Sequence, residues 1–86
     1  MILLSIDLGR TCGWCVSNGE VQDSNHFTWE SYEEFGATIK ALMELWKPNA
    51  VVIPYPTRFY RIILAQAKLM GIVEYLASKR DITVIE

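Results

Sequence analysis

Residues 2–9, Ile-Leu-Leu-Ser-Ile-Asp-Leu-Gly, constrain the fold more than any other stretch of this chain. A short apolar run bounded by a turn signal reads as a strand, and one so nearly unbroken predicts burial on both faces. The run ends in a single carboxylate, Asp7, followed by Gly9 and then by a second strand-like run, Trp14-Cys15-Val16. A charge at the end of an interior strand is tolerated where a cation or a cluster of donors compensates it. Asp7 is therefore the residue from which any chemistry would start.

The order of elements follows from patterns further along. Cys12–Val16 and Val21–Thr28 flank Ser17-Asn18-Gly19-Glu20, and Asn-Gly between two strand-like runs is a strong hairpin signal. His26 falls in the third strand and reads as a surface or hydrogen-bonded residue rather than a ligand. Ser31-x-x-Glu34 is a capping box, after which Tyr32, Phe35, Ile39, Leu42 and Trp46 recur at helical steps until Pro48 stops the helix. Glu30, Glu33 and Glu34 at its start are accounted for by the helix dipole. Ala50–Ile53 is a short buried strand ended by Pro54-Tyr55-Pro56. Thr57 then caps a helix running to about Ser78, with apolar positions Tyr60, Ile63, Ala67, Met70, Val73 and Ala77 and with Gly71 admitting close backbone approach. Lys79-Arg80-Asp81 turns the chain into a last strand, Ile82–Ile85. The sequence thus reads as one α/β domain over residues 1–86, ordered β-β-β-α-β-α-β, a hairpin sheet extended by parallel strands.

Composition excludes several classes. Half of the 86 residues are hydrophobic, which excludes disorder. No apolar run approaches the roughly 18 residues of a membrane span and no signal peptide opens the chain, so an intracellular, cytoplasmic setting without membrane contact is expected. Net charge is −2, unevenly spread: residues 1–46 carry two basic and seven acidic side chains, residues 47–86 six basic and three acidic. A general nucleic-acid binder carries a basic surplus, so phosphate contacts would come mainly from the second half. The two cysteines form Cys12-Gly13-Trp14-Cys15. A zinc site needs two more ligands and only His26 is near, while a redox pair needs a helix starting at the first cysteine. Three apart in a strand, the two point to opposite faces and read as small hydrophobes.

The segment Ser5-Ile6-Asp7-Leu8-Gly9-Arg10-Thr11-Cys12-Gly13-Trp14 resembles the opening strand and turn of RuvC-type Holliday junction resolvases, members of the ribonuclease-H-like superfamily. Residues 49–86 resemble that family's fourth strand, long helix and fifth strand, including a glycine at the Gly71 position. The resemblance implies a ribonuclease-H-like mixed sheet, without the final helix, and a metal-dependent endonuclease of DNA recombination. Carboxylates of that family bind two Mg2+ or Mn2+ ions that activate water and stabilise the leaving oxygen. Asp7 matches the first of them, as metal ligand and catalytic residue. The second is a glutamate ending strand four, where this chain has Val51-Val52-Ile53-Pro54, and proline offers no oxygen ligand. The others lie on a helix beyond the position of Glu86. Glu86 and Tyr55 are neighbours of the site by topology but not at family ligand positions.

The resemblance therefore implies a degenerate or truncated homologue of viral or mobile-element type, binding branched or duplex DNA with weak or no metal-dependent cleavage. Arg10, beside Asp7, and Arg58, Arg61 and Lys68, on the helix after strand four, would contact phosphates. A homodimer is expected, because a sheet lacking its last helix leaves an apolar face uncovered. Other readings are an active nuclease completed by a second chain and an interaction module that kept the fold without the chemistry. Asp-x-Gly-x-x-x-Gly also resembles the phosphate-binding hairpin of actin-like ATPases, which would make Gly9 to Gly13 a phosphate cradle.

Overall fold

The computed structural model describes the backbone of residues 1–54 and 60–86, and the side chains of residues 1–54 and 66–86. The elements run β1 (Leu3–Asp7), β2 (Thr11–Ser17), β3 (Val21–Thr28), α1 (Tyr32–Trp46), β4 (Ala50–Val52), α2 (Tyr60–Ser78) and β5 (Thr83–Ile85). They form one mixed sheet in the order β3-β2-β1-β4-β5, with β1 at its centre. β1–β2 and β2–β3 are antiparallel, whereas β1–β4 and β4–β5 are parallel and joined through helices, as parallel pairing requires. The α/β order and the hairpin-plus-crossover topology agree with the sequence reading.

Local chemistry explains the connections. The β2–β3 hairpin closes over Asn18–Glu20, with Gly19 at φ 83° supplying the left-handed turn residue and a bulge at Val16/Ser17. Ser31 caps α1, its Oγ accepting from the Glu34 N–H at 3.1 Å. Glu34 returns the bond one residue early, accepting from the Glu30 N–H at 3.2 Å. Lys47, at φ 47°, ends α1 in the left-handed conformation and donates its N–H to Met43 O. Asn49 then fixes the start of β1: its Oδ1 accepts from Ile2 N–H at 2.8 Å and its own N–H donates to Ile2 O at 2.8 Å.

Alternate residues divide the sheet. Leu4, Ile6 and Leu8 of the first strand and its turn, Cys12 and Val16 of β2, and Val51 and Ile53 are buried in one cluster with Phe35, Ile39, Leu42 and Met43 of α1 and Leu69, Val73 and Ala77 of α2. The intervening residues Ser5, Asp7, Gly13, Cys15, Ser24, His26 and Val52 are exposed or half-buried.

Several expectations are corrected. β1 is buried on one face only, and Asp7 is exposed rather than interior; the near-continuous apolar run misled because Leu3 and Ser5 are merely half-covered. The uncovered face is not apolar, since Ser5, Asp7, Ser24 and His26 share it with Cys15 and Val52. Ala67 is exposed, and the buried stripe of α2 instead passes through Leu69, Val73 and Ala77. Among the described residues, a Cβ at Gly71 would meet nothing within 4 Å, so none of their backbone approaches it; Gly36, whose Cβ would lie 3.5 Å from Ile72 Cγ2, is a glycine at the helix contact. Strands β4 and β5 are each a residue shorter than expected. Thr57, Tyr60 and Ile63 lie outside the described side chains.

Candidate functional site

Asp7 closes β1, the central strand, with its side chain on the uncovered face. The register places Gly13 of β2 opposite Asp7, and His26 of β3 opposite Gly13. The next row on the same face is Ser5, Cys15 and Ser24. Both rows line a shallow depression of about 510 Å³, which Pro54 borders from the end of β4. Pro54 thus stands beside Asp7, at the position where a second carboxylate is expected from the resemblance.

The turn that carries Asp7 is held from the covered side. Trp29 donates its Nε1–H to Gly9 O at 2.7 Å, and the Cys12 thiol donates to the same carbonyl at 3.1 Å. Gln66 Nε2 of α2 donates to Leu8 O at 3.0 Å. Burial pushes the Cys12 thiol above its ordinary pKa. Arg10 donates from its guanidinium to Trp29 O at 3.4 Å and lies 5.3 Å from the centre of the Trp29 ring. Trp29 in turn stacks on Tyr32, with ring centroids 5.7 Å apart. None of these supports was legible in the sequence; Trp29 carried no periodic signal because it lies between β3 and α1.

The other expected site residues are dispersed. Lys68 is exposed and lines a separate groove between α1 and α2, with Tyr32, Gly36 and Tyr75. Arg58 lies outside the described residues; Arg61 falls within α2, and its side chain is not described. Tyr55 is also outside. Glu86 is not among the residues around Asp7: it lines another depression with Glu74, Ser78, Ile82 and Val84, where the neighbouring Glu74 carboxyl raises its pKa. Cys12 and Cys15 are free thiols on opposite faces, as their spacing implied. Gly13 lies inside β2 and is paired on both sides, so Gly9 to Gly13 does not form an open loop of donors around a phosphate.

Among the described residues, no group of three His, Cys, Asp or Glu side chains is gathered to hold a metal ion. Two-metal phosphodiester chemistry needs ions about 3.5–4 Å apart, bridged and flanked by oxygen ligands. One carboxylate with a proline beside it does not fit that pair.

No protein-family model matches the chain, and no curated protein matches it. Solved structures do. Thermus thermophilus RuvC in complex with a Holliday junction substrate aligns with a TM-score of 0.80 and 18% identity, over 98% of this chain and 62% of that one. The fold is that of RuvC. A second T. thermophilus RuvC structure gives a TM-score of 0.76 at 18% identity, over 98% of this chain and 61% of the other. The RuvC-like sheet and helices are therefore present nearly throughout, while the chain spans less than two thirds of the RuvC chains it matches. No helix among the described residues is long and apolar enough to cross a membrane.

Proposed function

We propose that this chain is a degenerate RuvC-like Holliday junction resolvase domain that binds branched or duplex DNA and cleaves it weakly or not at all. The observation carrying this reading is the position of Asp7: it ends the central strand of a RuvC-like fold, on the uncovered face, in a depression that Pro54 borders from the end of β4. In support of this reading, Asp7 is the acid that ends the central strand, and the donor set beside it among the described residues is too poor for two metals. Binding without efficient cutting follows.

Phosphate contacts in this reading come from Arg10, Arg58, Arg61 and Lys68. Arg10 is favoured by its seat on Trp29, which orders the guanidinium beside the turn and limits the entropy lost on binding. Asp7 is the metal-ligating and catalytic candidate, for Mg2+ or Mn2+. A homodimer and an intracellular setting belong to the same reading. The exposed Tyr75 and Tyr32 beside the α1–α2 groove are surface that a second copy would cover; sedimentation velocity would measure it.

The test is a titration of four-way junction and duplex DNA across salt. Four phosphate contacts give a log affinity falling against log salt with a slope of about −3 to −4. Junction affinity should exceed duplex affinity, and substitution of Arg10 should reduce the slope by about one. Absence of salt-dependent affinity for either DNA would leave the interaction-module reading in its place.

A further inference from the structure

β3 is an outer strand of the sheet, and its far side faces no other strand among the described residues. Such an edge offers a row of backbone N–H and C=O groups on which another chain can pair. Alternate residues along an edge strand turn those groups outward. On β3, two N–H groups of one parity are spent within the strand itself. Ser24 N–H donates to Asp23 Oδ1 at 2.9 Å, and His26 N–H donates to Asn25 Oδ1 at 2.8 Å. Each donor thus meets the side chain of the residue before it. The residues that supply these oxygens are poor strand formers, since Asp and Asn are depleted in sheets. Asp23 lies opposite Val16 and Asn25 opposite Trp14, so Asp23 shares the core face with a buried valine, yet both are exposed at the rim. Next to Asp23 the register shifts between Val16 and Ser17, a bulge that bends the edge.

We propose that Asp23 and Asn25 close the β3 edge against strand addition by a second copy of this chain. A copy docking there needs the Ser24 and His26 donors, two residues or about 7 Å apart. It reaches them only by displacing both side chains. The closure lies in the acceptor oxygens and not in the Asp23 charge, because the neutral Asn25 makes the same bond. This inference goes beyond the DNA-binding reading and does not depend on it. It bears on the homodimer in one respect. Copies able to join both at the α1–α2 groove and at β3 would grow into open chains instead of stopping at pairs.

Sedimentation velocity over a range of protein concentrations compares the unaltered chain with its variants. Asp23→Ala combined with Asn25→Ala frees both donors and should associate about tenfold more tightly than the unaltered chain, the worth of one or two recovered hydrogen bonds. Asp23→Asn combined with Asn25→Asp keeps both acceptors and the net charge, and should behave as the unaltered chain does. Asp23→Asn alone removes the charge and keeps the acceptor, and should do the same. Ser24→Pro added to the double alanine variant deletes one freed donor and should return association to its original level. Both capping positions are exposed; should the double alanine variant fail to fold, the single variants, each freeing one donor, carry the same comparison. Amide exchange at concentrations too low for association reads the caps directly, and Ser24 and His26 should exchange about threefold faster without them. A double alanine variant that associates no more than the unaltered chain would overturn the proposal, as would unchanged exchange at Ser24 and His26. Association by Asp23→Asn equal to that of the alanine variant would mean that charge guards the edge and capping does not. Association that survives Ser24→Pro would place the contact away from β3, and the proposal would be wrong.

Discussion

Two faces of one sheet are built from neighbouring residues and obey different rules. On the covered face Leu4, Ile6, Cys12, Val16 and Val51 are fully buried, and their company is aliphatic or aromatic. On the other face, one residue along in each strand, stand Ser5, Asp7, Gly13, Cys15, Ser24 and His26. Strand side chains alternate with a period of two, so a single register decides both sets at once. The chain can therefore change its exposed face without disturbing its core. A RuvC-like fold persists at 18% identity, and the residue that borders the Asp7 depression from the end of β4 is a proline.

Substitutions at adjacent residues break that comparison most severely. Ile6→Ala opens a cavity in the centre of the core and should lower stability by about 2–5 kcal/mol. That is a large part of the roughly 5–15 kcal/mol that holds a typical domain together. Asp7→Asn, one residue on, is exposed and should change stability by no more than about 0.5 kcal/mol. Urea denaturation of the two variants measures both. Equal losses would mean that Asp7 is part of the packing and that the two faces are not independent.

The next largest effect comes from restoring what the uncovered face lacks. Pro54→Glu places a carboxylate at the border of the depression that holds Asp7, where the residue is exposed and tolerant of change. Magnesium affinity should rise about tenfold, a difference of about 1.4 kcal/mol. The gain should vanish when Asp7→Asn is added, since one oxygen ligand alone holds a hydrated ion poorly. A gain that persists in the double variant would place the new acid away from Asp7 and undo the assignment of Pro54.

Much of the covered face was legible in the sequence, and little of the uncovered one. Phe35, Ile39 and Leu42 announce themselves by helical spacing, and Asn18-Gly19 fixes a hairpin that the structure contains. Periodicity reports burial, so it finds cores. It misjudged β1, where an apolar run was read as two buried faces although Ser5 and Asp7 already marked the open one. Nor does it bring His26 near Asp7, which is a matter of register: only once Asp7 pairs with Gly13, and Gly13 with His26, do residues 19 apart share a row. Asn49, which ties the start of β1 through two hydrogen bonds, left no pattern because its partners are backbone atoms.

The two cysteines sharpen the comparison with chemistry in place of deletion. Cys12 is buried and Cys15 half-exposed, so in the native protein an alkylating reagent should modify Cys15 and reach Cys12 only as the chain unfolds. Burial raises the folded pKa of Cys12 above the unfolded value, the reference being 9.0. The folded state therefore retains that proton longer than the unfolded one. The associated stability is fully present below pH 9 and is lost as pH rises through the folded value, by at most about 1.4 kcal/mol per pH unit. Thermal melts above pH 9 should show this fall, and Cys12→Ala should flatten it while Cys15→Ser should not.

The smallest expected effect joins the faces at the turn between β1 and β2. Gly9 O accepts from both Trp29 Nε1–H and the Cys12 thiol, so the carbonyl keeps one partner if the other is removed. Trp29→Phe preserves most of the ring that packs against Phe35 and deletes only the N–H donor. Its loss should be about 1 kcal/mol or less, because a strong bond goes but no buried group is left unpaired. Adding Cys12→Ala strips the second donor, and the pair should then lose more than the sum of the single variants, since both act on one acceptor. Amide exchange at Gly9 to Thr11 reads the local consequence: the double variant should exchange fastest. Strict additivity would mean that the turn under Asp7 is held by the strands alone, and that the covered face contributes nothing specific to the placement of the acid on the other side.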